Sequence, residues 1–226
     1  MNARFLDTTM TTTETLDTPD DAAAGEAAPA KRVYKKGDER RQEILSAVVT
    51  LLGKPRLEKF TTKEIAAVTG LSEAALYRHF TNKAEILRQI VAFCETSFAS
   101  MFAAAEAVSG TTHRMRALAK VQALLQFAEK NPGITRLLTG EALVYEDAVV
   151  LEYMNHVIDK AEMSVRQTLK LAILDREIAA DTNVSAVAAV YLSYVIGRWR
   201  RYTQSQFKKK PTEGFGTAEM FFSALR

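Results

Sequence analysis

Apolar residues along most of this 226-residue chain recur every three or four positions, the period of helices packed on one side. Between residues 38 and 52 the stripe is Ile44, Leu45, Val48, Val49 and Leu52, and Gly53 and Pro55 end it. A second helix is expected from Thr61, where Glu64, three residues on, completes a capping box. It should bury Ile65, Ala66 and Val68 and stop at Gly70. Ser72 is placed to cap a third, short helix to about His79. Lys83 then opens a run to about Ala105 that carries Ile86, Leu87, Ile90, Val91, Phe93 and Phe98.

The second half continues the pattern. A helix over 114–130 ends at Asn131-Pro132-Gly133, where the asparagine can cap and the proline can open a new helix to about Tyr145. Long helices are expected over 148–175 and 183–207, with a short one after Phe215. Val150, Met154, Val157, Ala161, Val165 and Leu169 line the first; Val184, Val187, Tyr191, Val195, Trp199 and Tyr202 line the second. No stretch alternates like a strand, and no internal repeat is visible. The expected fold class is all-α.

Composition adjusts this picture in two ways. A hydrophobic content of 47% supports a substantial core. Cys94 is the single cysteine and cannot form an intramolecular disulfide; beside Ile90, Phe93 and Phe98 it reads as a packing residue. No apolar run approaches a membrane span, and the N-terminus lacks a signal-peptide layout, so a cytoplasmic protein is expected. The net charge of +3 hides a split. Residues 1–30 hold Arg4 against Asp7, Glu14, Asp17, Asp20, Asp21 and Glu26, a net −5, which leaves +8 for the rest. That Thr/Asp/Ala-rich tail has too few large apolar groups to offset its ordering entropy and reads as disordered. It leads into Lys31, Arg32, Lys35, Lys36, Arg40 and Arg41, either a solubilising linker or an arm that follows nucleic-acid phosphates.

The most informative stretch runs from Thr61 to Lys83, two helices joined by a tight turn at Gly70. Leu76 and Phe80, four apart, face inward, where Ile65 and Val68 can pack on them. Ser72, Glu73, Ala74, Tyr77, Arg78 and His79 are left on or near the exposed side. A helix of this size fits the major groove of duplex DNA, its N-terminal residues reaching base edges. His79 reads equally as a packing residue or a DNA contact. His79, His113 and His156 have no metal-ligand spacing, and no phosphate loop or nucleophile elbow is present, so neither metal, cofactor nor enzyme activity is expected.

The Thr-Thr start, Ile-Ala, Gly-Leu-Ser, Leu-Tyr-Arg-His-Phe and the following lysine resemble the TetR family of DNA-binding regulators. The resemblance implies a disordered tail and arm over 1–37, a helix-turn-helix domain over 38–82 and a helical dimerisation and partner-binding domain over 83–226. It implies phosphate contacts from Tyr77 and Lys83 with help from Thr62 and Ser72, a thymine-methyl contact from Ala74, and base or phosphate contact from Arg78. A homodimer would set two recognition helices in successive major grooves of a palindromic duplex, about 34 Å apart. The helix over 183–207 and the one after Phe215 would form its interface, with Tyr191, Val195 and Trp199 either at its centre or packed within one subunit.

Three segments resemble the nucleoid occlusion branch of that family: Ser72–Phe80, Phe127–Leu143 and Arg200–Pro211. That resemblance implies a nucleoid-associated protein which, on DNA, binds the C-terminal tail of the division protein FtsZ and antagonises its assembly. Phe93, Lys130 and Asn131, with Ala123 and Gln126 beside them, are the residues it assigns to the tail. By themselves Phe93 would read as core and Asn131 as a helix cap. Where the branch has an arginine, this chain has Met101. A ligand-released repressor of the general TetR type is the alternative.

Overall fold

A computed structural model describes residues 37–57, 60–143 and 148–223. The acidic tail and the basic residues 31–36 lie outside the described residues. Those described form helices α1 (Gly37–Leu52), α2 (Thr62–Thr69), α3 (Glu73–Leu76), α4 (Lys83–Glu106), α5 (His113–Lys130), α6 (Pro132–Leu138), α7 (Ala148–Leu174), α8 (Val184–Gln204) and α9 (Phe215–Ser223), with a 3-10 turn at Glu141–Leu143. No strand occurs among them. The fold is all-α.

The first three helices make a small head. Ile44, Val48 and Leu52 of α1, Ile65 of α2, and Leu76 and Phe80 around α3 are all but fully buried. Local caps set the element ends: Thr61 and Glu64 form the reciprocal box, Gly70 closes α2 at φ +63°, and the Ser72 hydroxyl accepts from the Ala75 amide.

Helices α4, α5, α7 and α8 form the larger body. At its centre the Phe98 ring meets Phe127 edge-on at 5.0 Å, and the buried Trp199 indole donates to the Leu124 carbonyl at 3.2 Å. The Glu177 carboxylate reaches back to the amides of His113 and Arg114 at 2.9 and 2.8 Å, neutralising the start of α5. Buried Lys120 is held by Glu106 at 2.7 Å and Thr168 at 2.7 Å.

Four expectations need correction, and one open alternative is decided. Val68 is exposed; α2 is two turns long and turns Ile65 and Ala66 inward, so position 68 falls outside its narrow buried face. The third helix ends at Leu76 and not at His79, because the chain must turn to bring Phe80 beneath it. Helix α6 ends at Leu138, where Gly140 at φ +79° breaks the run expected to reach Tyr145. Asn131 begins α6 without a side-chain cap; its amide nitrogen donates to the Phe127 carbonyl at 2.7 Å and so finishes α5. Of the two placements left open for Tyr191, Val195 and Trp199, the structure has the one within a single subunit, where all three are buried.

Candidate nucleic-acid interface

The end of α3 is fixed from below. Leu76 and Phe80 sit in the core four residues apart, and Arg41 of α1 reaches across to hold the chain that follows. Its guanidinium donates to the His79 carbonyl and to Glu85 at 2.8 Å, and lies over the Phe80 ring 4.3 Å from the centroid. Glu85 also accepts from the Thr81 amide at 2.6 Å and the Thr81 hydroxyl at 2.7 Å. The Thr81 amide first, then Arg41, pull its carboxyl down to about 2. Arg40 donates to the Thr69 carbonyl at 3.1 Å and pairs with Glu43 at 2.7 Å. Both arginines therefore serve the head's own packing and do not belong to a free basic arm.

With its anchors turned in, α3 presents Ser72, Glu73, Ala74, Tyr77 and Arg78 to solvent, while His79 is half-buried. Tyr77 is 48% exposed, a large share for an aromatic residue beside the core. The Thr62 hydroxyl donates to Glu73 at 2.8 Å, which ties the start of α2 to the start of α3 and steadies the exposed face. Lys83 is half-buried; its ammonium donates to the Phe60 carbonyl at 2.8 Å and lies 5.0 Å from the centre of the Phe60 ring. The structure thus gathers Thr62, Ser72, Ala74, Tyr77, Arg78, His79 and Lys83 into one region. Arg41 and Glu85 position that region, and periodicity alone did not point to them.

The five residues assigned to a protein tail are divided. Ala123, Gln126 and Lys130 share the outer face of α5, Ala123 half-buried and the other two exposed. Phe93 is partly buried on α4, which packs against α5. Asn131 is only 4% exposed and turned inward. Met101 lies partly buried against the core.

Two family profiles cover this architecture: "Bacterial regulatory proteins, tetR family" over residues 44–90 and "Tetracyclin repressor-like, C-terminal domain", of the SlmA-like type, over residues 109–225. The chain is 37% identical over 182 residues to Nucleoid occlusion factor SlmA of Photobacterium profundum, covering 80% of this chain and 92% of that one. The chain belongs to the TetR family, in its SlmA-like branch. SlmA of Vibrio cholerae is similar at 36% over 178 residues, 78% of this chain and 90% of that protein. Among solved TetR-like structures, the fatty acid degradation regulator FadR of Bacillus halodurans superposes with a TM-score of 0.71 at 12% identity, over 84% and 97% of the two chains. PfmR of Thermus thermophilus does so with 0.63 at 20% identity, over 80% and 92%. At those identities the structural matches speak for the TetR fold alone. The sequence matches extend beyond the head into the C-terminal body, where α5 and α6 lie.

Proposed function

We propose that this protein is a nucleoid occlusion factor that binds palindromic duplex DNA as a homodimer in the cytoplasm, on the nucleoid. While bound there, it holds the C-terminal tail of FtsZ and antagonises FtsZ assembly. The single observation that carries the DNA reading is the exposed face of α3, a one-turn helix anchored through Leu76 and Phe80 with Ser72, Ala74, Tyr77 and Arg78 outward. Tyr77 and Lys83 take phosphates, Thr62 and Ser72 add hydroxyls beside them, and Ala74 and Arg78 meet base edges.

A second copy fits the face of α8 made by Ala186, Val190, Ser193 and Gly197, together with exposed Met220 and Phe221 of α9. Its small side chains let two helices approach closely, and one two-fold axis gives an isologous interface. The FtsZ reading rests on the relatives named nucleoid occlusion factors and on the outer face of α5, where Ala123, Gln126 and Lys130 line up beside Phe93 of α4. Asn131 would support that face from beneath.

The test is fluorescence anisotropy of a labelled FtsZ C-terminal peptide titrated with the protein, with and without a palindromic duplex. Peptide binding strengthened by the duplex supports the whole reading. Duplex binding without peptide binding removes the FtsZ half; no duplex binding removes both.

One observation favours the alternative of a ligand-released repressor. A cavity of about 520 Å³ lies between α4, α5 and α7, with Phe98, Phe102, Val157 and Leu171 on its walls and Lys120 and Glu106 within it. That reading expects a small amphiphile that weakens DNA binding, with no response to the FtsZ peptide.

A further inference from the structure

Helix α6 joins the two functional regions, and its sequence is shaped for that contact. A Cβ on Gly133 would lie 2.0 Å from the Val49 carbonyl oxygen and 2.9 Å from the Gly53 amide, so α6 rests directly on the last turn of α1. One turn later Arg136, only 6% exposed, points its guanidinium at the end of the same helix. It donates to the carbonyls of Leu52, Lys54 at 2.6 Å and Pro55 at 3.3 Å. The Leu52 carbonyl is one that a helix leaves unpaired at its C-terminus, those of Lys54 and Pro55 belong to the turn that follows, and a side chain 81 to 84 residues away satisfies all three. Burial pulls the guanidinium below its usual pKa, and Glu141, 3.7 Å from Nε, opposes that.

The other side of Arg136 is gripped by the body. Its guanidinium lies 4.7 Å from the centre of the Phe207 ring, just past α8, and Thr203 of α8 donates to Glu141 at 2.5 Å. Phe207 holds φ at +65°, a conformation a non-glycine residue keeps only when its surroundings impose it. Behind Arg136, the Thr135 hydroxyl bonds the Ala128 and Asn131 carbonyls, both at 2.9 Å, and so fastens α6 to the end of α5 beside Lys130. The end of the head's first helix and the end of α8 therefore meet at one buried cation, and its neighbour Thr135 ties the same short helix to the end of α5.

We propose that Arg136 is the positioning residue that couples DNA occupancy of the head to the partner-binding face of α5. This rests on the DNA-binding and FtsZ reading above. A tilt of α1 on DNA cannot be absorbed at Gly133, where the backbones touch, so it is passed through Arg136 to α6 and to Lys130. Coupling of this kind is reciprocal: the partner must also tighten DNA binding.

Hydrogen exchange over residues 126–138, with and without a palindromic duplex, tests it without any partner. Wild-type protein is expected to show duplex-dependent protection there, and folded Arg136→Gln protein is expected to bind the duplex without it. In parallel, the duplex should raise FtsZ-peptide affinity about fivefold or more in wild type and less than about twofold in the variant. Where Arg136→Gln fails to fold, Arg136→Lys gives the same comparison, since it keeps the charge but loses the fork. Protection that persists in a folded variant overturns the proposal, as does bound duplex with no protection in wild type; both leave the DNA reading intact. Absence of duplex binding in wild type overturns the DNA reading and the coupling with it.

Discussion

Arg41→Gln removes the pin between α1 and the turn that ends α3, and its cost can be worked from the contacts. The Glu85 carboxyl titrates at about 2 against its ordinary 4.5, a gap worth about 3.4 kcal/mol at 1.36 kcal/mol per pKa unit. Solvent reaches 31% of the Arg41 side chain and 29% of that of Glu85, so screening reduces this to about half. The Thr81 amide is the larger cause, which leaves Arg41 about 1 kcal/mol. The lost stacking on Phe80 adds about 0.5 to 1 kcal/mol. The expected loss is about 1.5 to 2 kcal/mol by urea unfolding at neutral pH. The sign with pH follows from the lowered carboxyl: its contribution is complete above the unfolded value of 4.5 and is lost as pH falls toward about 2. Only the ion-pair part titrates with Glu85, so the difference between wild type and Arg41→Gln should shrink by about 0.5 kcal/mol, roughly a third, near pH 3. DNA affinity should fall too, since the end of α3 loses its support. A loss below about 0.5 kcal/mol, or one that does not change down to about pH 3, would refute this account of the pin.

Three further outcomes are expected. Gly133→Ala places a methyl 2.0 Å from the Val49 oxygen and should cost about 3 kcal/mol or more, lowering Tm by about 6 to 12 °C in a thermal melt; an unchanged Tm would mean that α6 does not rest on α1 as described. Tyr77→Ala and Arg78→Ala touch exposed side chains and should alter stability by less than about 0.5 kcal/mol. In anisotropy titrations Tyr77→Ala should weaken binding to all duplexes alike, whereas Arg78→Ala should relax selectivity at one base pair; equal effects on every duplex would make Arg78 a phosphate contact. Val190→Asp, on the exposed face of α8, should give a folded monomer by light scattering with reduced affinity for a palindrome, and a retained dimer would move the interface elsewhere.

Features written in neighbouring residues were legible. The Thr61–Glu64 box, the Ser72 cap and the left-handed Gly70 each act within four residues, so their chemistry is visible as a short string. Gly140 carries the signal that ends α6, but apolar spacing that continues beyond it masks the stop. Periodicity does not say which neighbour covers an apolar stripe. Trp199 and Tyr191 fit a subunit core and a dimer seam equally well on spacing alone; Phe98 and Leu124 beside the indole decide for the core. Long-range polar pairs are invisible for the same reason. Arg41 with Glu85, Arg136 with the end of α1, and Glu177 with the start of α5 join residues 44 to 84 apart, and nothing local marks either partner. Among the residues assigned to DNA, face and exposure were foreseeable at Ser72, Ala74, Tyr77 and Arg78; the engagement of Lys83 by Phe60 was not.

The brevity of α3 bears on how such a protein changes its target. A four-residue helix has almost no stability of its own, and here it borrows its shape from Leu76, Phe80, Arg41 and the Ser72 cap. Ala74, Tyr77 and Arg78 contribute little to that scaffold because they stand exposed to solvent. Mutation can therefore rewrite the reading surface while folding hardly notices. Lineages that keep the four supports are free to drift from one operator to another, and selection on the operator and selection on the fold act on separate sets of residues.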